Sequence, residues 1–266
     1  MNKERFKALV RDFYKQNGRH SLPWRDTCDP YQILVSEVML QQTQVPRVLK
    51  KYAEFLAAFP DVRALAKAPT ANVLKIWQGL GYNRRALLLK RAAETITNDF
   101  AGVFPRTAAE LESLPGIGQS TRGAIMAFAF GVPTVFIETN IRAVFLHCFF
   151  KDKTGVRDRD IFPLIEKTLA RNDPRGWYYA LMDYGVHLKR TLPNPSRKSA
   201  HHARQSPFKG SNREIRARIV RFVLEKPRTE REIVAHIGET PHDVQKNIGK
   251  LVAEGFMKET DGVFKA

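Results

Sequence analysis

The sequence predicts an all-α protein that ends in a small hairpin, and three observations lead to this fold class. Apolar residues recur three and four positions apart through most of the chain, as they do on the buried face of a helix. Proline and glycine interrupt these runs often, so the helices must be short. No alternating strand pattern of useful length comes before residue 255.

The first half of the chain shows the helical spacing most clearly. The segments that carry it are Ile33–Leu40, Val45–Phe59, Val73–Trp77 and Leu87–Ile96. Pro60, Pro69 and the turn Gly79-Leu80-Gly81 separate them. We therefore expect a core of many helices joined by short connections.

The charge balance points to an anionic partner. The 266 residues include 44 Lys+Arg and 27 Asp+Glu, a net charge of +17, and 43% of them are hydrophobic. That apolar fraction is enough for a folded core and argues against a disordered basic tail. A folded chain with so large a surplus usually binds nucleic acid, although a purely solubilising charge is the alternative.

Several other protein classes are excluded. No apolar run approaches the roughly 18 residues of a membrane span, and Met1–Phe6 is a charged amphipathic start rather than a signal peptide. Two cysteines, Cys28 and Cys148, form neither a disulfide framework nor a four-thiolate metal site. We expect an intracellular, reduced protein without membrane contact and with Cys148 buried.

The composition changes after Gly185. Residues 186–211 contain six basic residues and no acidic one, and prolines and serines break any periodicity there. The basic residues are Lys189, Arg190, Arg197, Lys198, Arg204 and Lys209. This pattern predicts a basic loop or linker between a core at residues 1–185 and a separate domain at 212–266.

A new helical pattern occupies the C-terminal segment. The predicted helix boundaries are Asn212 to Pro227, Thr229 to Gly238 and Thr240 to Gly255. Phe256–Phe264, with Asp261-Gly262 at its centre, has the pattern of a hairpin. Three helices followed by a hairpin predict a winged helix-turn-helix.

The most informative local pattern is Leu114-Pro115-Gly116-Ile117-Gly118-Gln119-Ser120-Thr121. Two glycines two positions apart permit a tight turn with outward-facing amides. Together with the N-terminus of the next helix, such a turn binds a phosphate oxygen, which makes Gly116, Gly118, Gln119 and Ser120 candidate DNA contacts. An ordinary turn between helices is the alternative.

In this context residues 22–185 resemble the MutY-like adenine DNA glycosylases of the helix-hairpin-helix (HhH-GPD) superfamily. The matching segments are Leu22–Arg25, Pro30-Tyr31, Ser36–Val45, Trp77–Tyr82, the hairpin, Glu138–Ile141 and Met182–Gly185. The resemblance implies two helical lobes, one with the hairpin and one made from both core ends. It also implies double-stranded DNA as partner, with a mismatched or damaged nucleotide flipped between the lobes and its base released.

Glu37 is the candidate general acid. It lies among apolar helix residues such as Val35 and Val38, where the charged form of a carboxyl group is disfavoured. A solvated helix glutamate is the alternative. The resemblance implies that Glu37 protonates the departing purine.

Three polar or aromatic residues are candidates for contact with the base stack. The resemblance implies that Gln42, next to Gln41, enters the space left by the flipped nucleotide, and that Tyr82 enters the duplex or stacks on the opposite base. A polar surface and a packed aromatic at a helix start are the alternatives.

Glu138 departs from the family pattern, because the superfamily has an aspartate there that stabilises the positive charge developing on the sugar. Glu138 keeps the charge on a longer side chain. Three interpretations stay open: it does the same work, it serves another substrate geometry, or catalysis is impaired. Asn140 is expected to support the helix start or to bind phosphate.

Two further positions limit the activity and the cofactors. Lyase-type relatives such as endonuclease III carry a lysine where this chain has Ser120, so we expect base release without efficient strand cleavage. The family usually holds an iron–sulfur cluster on four cysteines after Met182–Gly185, but that region has no cysteine here. We expect no cofactor and no metal, including at His201-His202, and we expect Lys189, Arg190, Arg197 and Lys198 to bind phosphates instead.

The target base is less constrained, because the C-terminal segment is too short for the Nudix-like domain with which MutY reads 8-oxoguanine. Adenine in a mismatch is the first candidate, hypoxanthine the second, and a mismatched pyrimidine stays possible. A non-catalytic DNA damage binder is the rival class. Residues 212–266 hold 11 basic and 9 acidic side chains, so we expect the winged helix to contact protein or to brace the core.

Overall fold

The computed structural model describes residues 1–202 and 207–266. Over these residues the chain is mainly helical, as the apolar spacing predicts, and the all-α fold class is confirmed. In chain order the α-helices are α1 (Lys3–Asn17), α2 (Pro30–Leu40), α3 (Val45–Ala58), α4 (Val62–Lys67), α5 (Thr70–Trp77), α6 (Arg84–Asp99), α7 (Ala108–Ser113), α8 (Gln119–Phe128), α9 (Thr139–Phe149), α10 (Asp158–Thr168), α11 (Pro174–Thr191), α12 (Asn212–Glu225), α13 (Glu230–Ile237) and α14 (Pro241–Glu254).

The chain forms two compact units. The first unit contains residues 1–37, 104–113 and the described part of 117–204; the second contains 38–103, 114–116 and the described part of 205–266. The second unit therefore joins helices α3–α6 to the C-terminal segment. The domain boundaries expected from the sequence, at residues 185 and 212, stay a prediction.

In the first unit, α9 and α11 pack along each other, and α1 closes the core with Phe6. The Phe6 ring lies 5.2 Å from that of Phe145 and 5.9 Å from that of Trp177. Gly185 allows the close approach of α11 to the start of α9, because a Cβ atom there would lie 2.3 Å from the carbonyl oxygen of Asn140. A larger residue at this position would displace the turn that carries Glu138.

In the second unit, α4 and α5 pack against α6, and the buried Trp77 of α5 lies 5.9 Å from the Phe55 ring of α3. The Trp77 indole nitrogen donates to the Gly81 carbonyl at 3.1 Å and so anchors the turn before α6. On α6, Arg91 donates to the Glu254 carbonyl at 2.8 Å, which ties α6 to the end of α14.

The C-terminal segment has the predicted three helices and hairpin. Thr229 and Glu232 form a reciprocal capping box on α13, and Gly238 and Gly255 end α13 and α14 in the left-handed conformation. The hairpin strands are β2 (Lys258–Thr260) and β3 (Val263–Lys265). A further strand, β1 (Arg228–Thr229), pairs antiparallel with β3, and at two residues it is too short to show an alternating pattern.

Most of residues 186–199, the first part of the basic segment, is helical and not a loop. Helix α11 continues to Thr191, because the buried Leu188 extends its apolar face by one turn. A 3-10 turn follows at Pro195–Lys198, and Ser199 forms a parallel bridge with Val156. Arg204 lies in the stretch 203–206, outside the described residues.

Within residues 1–202 and 207–266, no helix combines the length and the apolar composition that crossing a membrane requires.

Candidate active site

Glu37 lies on α2 as a partly buried carboxyl group among the buried side chains of Val35, Ser36 and Val38. Burial is the main cause that raises the pKa of Glu37 to about 8, and the charge of Glu138 raises it further, while Arg25 opposes both. Glu37 therefore holds a proton at neutral pH, as a general acid must.

Glu138 is the N-cap of α9. Its Oε1 accepts from the amides of Asn140 and Ile141, both at 2.7 Å. Its Oε2 accepts from the Asn140 side-chain amide at 3.1 Å. The additional methylene of glutamate is thus accommodated by folding the side chain back onto its own helix N-terminus, where the helix dipole favours a negative charge.

The surroundings of Glu138 act in opposite directions on its pKa. Burial is the largest cause and raises the pKa of Glu138 above its usual value, while the two backbone donors together with Lys189 and Arg142 partly offset this rise. Lys189, half-buried on α11, in turn has its pKa lowered by burial, against the charge of Glu138. Lys189, predicted as a phosphate contact, is therefore placed beside the candidate catalytic carboxylate.

The other three residues of the basic segment that were predicted as phosphate contacts occupy different surroundings. Lys198 donates to the Lys151 carbonyl at 2.5 Å and secures the 3-10 turn. Arg190 and Arg197 are exposed. Their role as phosphate contacts stays a prediction, and Asn140 is placed at the Glu138 carboxylate.

The sequence did not reveal a buried ionic network in the same unit as Glu37. Arg25 donates to both carboxylate oxygens of Asp183 at 2.8 Å, and Arg19 donates to the same group with its backbone amide at 2.7 Å and its side chain at 2.6 Å. The side chains of Arg25 and Asp183 are only 5% and 2% exposed. The Arg25 guanidinium also lies 4.4 Å from the centre of the Tyr179 ring. Arg25 is thereby fixed where its charge acts on Glu37.

The hairpin between α7 and α8 has an open, glycine-lined turn. Gly116 has a φ of 81°, and a Cβ atom there would lie 2.8 Å from Cβ of Leu88. Gly118 is the N-cap of α8, and no side chain caps its first-turn amides. Gly116, Gly118 and Gln119 are exposed and Ser120 is half-buried, so these amides are available to an anion.

Gln41, Gln42 and Tyr82 lie together in the second unit, where they line one groove. Gln42 and Tyr82 have φ angles of 57° and 49°, in the left-handed region that side chains other than glycine rarely adopt. Backbone of this kind persists only where surrounding contacts hold it, and it is concentrated at functional sites.

Arg85 provides those contacts and was not singled out from the sequence. Its guanidinium is buried and donates to acceptors on both loops that carry the strained residues. The acceptors are the carbonyls of Val38 (2.8 Å), Met39 (2.9 Å), Gln41, Leu80 (3.4 Å) and Gly81 (3.1 Å) and the hydroxyl of Thr43 (2.9 Å). Arg85 falls on the same helical face as the buried Leu89, Ala92 and Ile96, at spacings of four and three, and a charged residue on this apolar face is the signal that could have revealed it.

The iron–sulfur cluster implied by the resemblance does not fit this chain. Its only two cysteines are separate: Cys28 is exposed and contacts Arg175, while Cys148 is buried in α9. Four thiolate ligands are therefore not available, and the ordered 3-10 turn stands in the expected cluster region. Across the described part of the chain, no group of three or more His, Cys, Asp or Glu side chains is placed to hold a metal ion.

Sequence comparison finds a family and several relatives. Residues 35–171 match the model of the HhH-GPD superfamily base excision DNA repair protein. An adenine DNA glycosylase of Buchnera aphidicola subsp. Baizongia pistaciae is 35% identical over 185 residues, which are 68% of this chain and 52% of that protein. The adenine DNA glycosylase of Mycobacterium tuberculosis (strain ATCC 25618 / H37Rv) is 42% identical over 48% of this chain and 43% of that protein. The adenine DNA glycosylase of Homo sapiens is 37% identical over 52% of this chain and 27% of that protein. This chain thus spans about half the length of such relatives, or less.

Comparison with solved structures agrees with the family found by sequence comparison. A thermostable thymine-DNA glycosylase superposes with a TM-score of 0.61 and 27% identity, covering 69% of this chain and 86% of that one. A trapped endonuclease III–DNA covalent intermediate superposes with a TM-score of 0.59 over 78% of this chain and 91% of that one, and at 18% identity it supports the fold alone. From the match over residues 35–171, the motifs and the helical architecture, this chain belongs to the HhH-GPD superfamily of base excision DNA repair proteins.

Proposed function

We propose that this chain is a monofunctional DNA glycosylase that hydrolyses the bond between deoxyribose and a mismatched or damaged purine, with adenine as the first candidate. One observation carries the proposal: Glu37, with a pKa of about 8, holds a proton at neutral pH in the same unit as Glu138, which is fixed at a helix N-terminus. Burial raises the pKa of both carboxyl groups, but Glu138 also accepts two backbone hydrogen bonds that favour its charged form, so Glu37 is suited to the acid role and Glu138 to the charge-stabilising role.

In the proposed mechanism, Glu37 donates its proton to a ring nitrogen of the purine. The base leaves with that proton and with the bonding electrons, and positive charge develops on the sugar. The Glu138 carboxylate stabilises this charge. A water molecule then adds to the sugar and gives a proton back to Glu37, so the products are the free base and an abasic site.

The hydrogen bonds of Glu138 support the interpretation in which it does the work of the usual aspartate. Both oxygens are held by Asn140 and Ile141 at the start of α9, so the longer side chain does not move freely. A fixed carboxylate is what electrostatic stabilisation requires, because a displacement of about 1 Å can cost a large rate factor.

The DNA contacts proposed from the sequence fall into two groups. Gln41, Gln42 and Tyr82 would enter or adjoin the base stack beside the flipped nucleotide. The exposed turn at Gly116 and Gly118, with Gln119 and Ser120 at the start of α8, would hold a phosphate of the strand. We expect a monomer acting on double-stranded DNA, at the bacterial nucleoid or in a eukaryotic nucleus.

Ser120 supports a monofunctional reaction. A hydroxyl group forms no Schiff base with the abasic sugar, whereas the lysine of lyase-type relatives does. We therefore expect strand breaks only after alkali treatment.

The adenine DNA glycosylases among the relatives support adenine as the target, with hypoxanthine as a competitor. A mismatched pyrimidine is the second candidate, because the thymine-DNA glycosylase is 27% identical and matches most of its own length.

The test is base release from duplexes with adenine opposite 8-oxoguanine, guanine or cytosine, hypoxanthine opposite thymine, and thymine opposite guanine, followed by alkali. We expect wild-type protein and the control Glu166→Gln, an exposed glutamate of α10, to release adenine, and Glu37→Gln to lose this activity. Tight binding without release from any duplex would support the rival, a non-catalytic damage binder.

A further inference from the structure

The groove that Gln41, Gln42 and Tyr82 line in the second unit has a further wall, on α12, that the proposed function does not use. The groove has a volume of about 870 Å³, within the range of roughly 300 to 1,000 Å³ of small-ligand sites. Its walls are the Gln41–Gln42 loop, the Gly79–Arg85 turn and one face of α12. We call it the α12 groove. Neither Glu37 nor Glu138 lines it.

The α12 groove is strongly basic. Among the residues that the structure describes, six arginines line it and Glu254 is the one acidic residue that does. The arginines are Arg47, Arg84, Arg85, Arg213, Arg216 and Arg221. Arg47, Arg84 and Arg221 are exposed, and within residues 1–202 and 207–266 they form no salt bridge. A surface of this charge is complementary to phosphates.

The same groove presents aromatic rings. Phe208 is 55% exposed, which is unusual for so large an apolar side chain, and it lies at the groove with Tyr82. Arg213 of α12 donates to the Tyr82 hydroxyl at 3.1 Å, and its guanidinium lies 5.9 Å from the ring centre. Cations beside an exposed ring such as Phe208 are the arrangement with which proteins bind unpaired nucleotides, through phosphate contacts and base stacking.

The helix that a winged helix-turn-helix ordinarily inserts into DNA is its third, here α14. Helix α14 carries two lysines against one aspartate and one glutamate, so it offers no excess of positive charge. Helix α12 carries four arginines against two glutamates, and three of these arginines line the groove. The charge of the C-terminal segment is therefore concentrated on α12, on the side of Tyr82.

We propose that the α12 groove binds an unpaired nucleotide of the DNA substrate, with Arg221 and its neighbours on the flanking phosphates and Phe208 stacked on the base. The C-terminal segment then acts in DNA binding through α12 and not through α14. This inference rests on the proposed function, because it takes the duplex opened by the glycosylase as the ligand.

The experiment measures dissociation constants of the full chain by fluorescence anisotropy, at several salt concentrations, for a duplex with one unpaired nucleotide and for the same duplex fully paired. The groove variants are Arg221→Gln and Phe208→Ala. The matched control is Lys250→Gln, an exposed cation on α14 that does not line the groove. All three positions are exposed, and the unfolding temperature of each variant verifies that it folds.

We expect Arg221→Gln to weaken binding of the unpaired duplex roughly tenfold and to reduce the slope of log K against log salt by about 0.7 to 0.9. Phe208→Ala should weaken the unpaired duplex roughly five- to fiftyfold and leave the paired duplex unchanged. Lys250→Gln should bind both duplexes like the wild type.

Three results would overturn the inference: wild-type affinity in both groove variants, an equal loss on both duplexes for Phe208→Ala, or a loss in Lys250→Gln as large as in Arg221→Gln. Wild-type affinity in both groove variants would favour an acidic protein as the partner of the groove. A loss in Lys250→Gln as large as in Arg221→Gln would place the DNA contact on α14. Base release by the wild type, measured separately, tests the proposed function, so binding at the groove without release would contradict that function alone.

Discussion

Glu37 and Glu138 are two carboxyl groups whose surroundings assign them different work. Burial raises the pKa of Glu37 to about 8, which keeps this group protonated at neutral pH. Glu138 accepts three hydrogen bonds within its own helix start and faces Lys189 and Arg142. At the scale of the residue, the proposed roles follow from hydrogen bonding: Glu138 accepts bonds that stabilise a negative charge, whereas burial keeps the proton on Glu37.

The raised pKa of Glu37 predicts a pH dependence of stability. Between about pH 4.5 and 8 the folded protein keeps the Glu37 proton, while the unfolded chain has lost it. The folded state then binds more protons, so the free energy of unfolding falls as pH rises, by at most about 1.4 kcal/mol per pH unit. Measured by denaturant unfolding from pH 5 to 8, the free energy of unfolding should fall more steeply with pH for the wild type than for Glu37→Gln. Equal slopes for the two proteins would contradict the raised pKa of Glu37.

Glu138 predicts a graded series of activities. Glu138→Gln keeps the shape but not the charge, and we expect base release in single turnover to fall at least about a hundredfold. Glu138→Asp keeps the charge but withdraws it by one methylene, so an intermediate rate is expected. If Glu138→Asp were faster than the wild type, glutamate would be an impaired substitute for the aspartate of the family.

Ser120 predicts the absence of a covalent intermediate. With borohydride present during the reaction, we expect no cross-link between wild-type protein and DNA, because a Schiff base needs an amine. Ser120→Lys should introduce such a cross-link. Trapping by the wild type, or strand cleavage without alkali, would refute the monofunctional assignment.

At the scale of the element, the two loops that carry Gln42 and Tyr82 depend on a single side chain. Arg85 donates to carbonyls of both loops, and burial lowers its pKa to about 10. Both loops hold a residue in the left-handed region, so the bonds from Arg85 offset the backbone strain.

Replacement of Arg85 should therefore loosen both loops at once. We expect Arg85→Lys to lower the free energy of unfolding by roughly 2 to 4 kcal/mol, since a lysine leaves several buried carbonyls without donors. DNA affinity should fall with it. The neighbouring, exposed Arg84 is the control for stability, and equal unfolding midpoints for Arg85→Lys and Arg84→Lys would show that Arg85 does not hold the loops.

The elements also show what the sequence could and could not predict. Caps and turns are local, so Thr229, Gly238 and Gly255 marked helix ends that the structure confirms. The last turn of α11 was missed because a basic, proline-containing segment hid the one apolar residue, Leu188, that packs inward. The spacing of apolar residues along a segment does not show that one of them, such as Leu188, is buried by a part of the chain that is distant in sequence.

The candidate site divides in the same way. Glu37, Glu138 and the hairpin glycines lie in motifs that can be recognised along the chain. Arg25 and Arg85 were missed as functional side chains because their partners are far away in sequence: Asp183 is 158 residues from Arg25, and the Val38 carbonyl is 47 residues from Arg85. The importance of such residues is visible only after folding.

At the scale of the whole molecule, the net charge of +17 is less informative than its distribution. The C-terminal segment is almost neutral in total, and the sequence therefore predicted a brace or a protein contact. The structure places three of its arginines on one face of α12, beside Tyr82. A sum over 55 residues conceals a basic face, because acidic residues elsewhere in the segment cancel it.

The central claim is that Glu37 donates the proton that releases the base, and the pH dependence of single-turnover release tests it most directly. With saturating protein, the wild-type rate on its best duplex should be constant below about pH 7 and fall as the pH passes about 8, where Glu37 loses its proton. Glu37→Gln should bind the same duplex with similar affinity and release the base at least about a hundredfold more slowly below about pH 7, and the difference should shrink above about pH 8. Wild-type release by Glu37→Gln below about pH 7, or a wild-type rate that does not change through pH 8, would contradict the account.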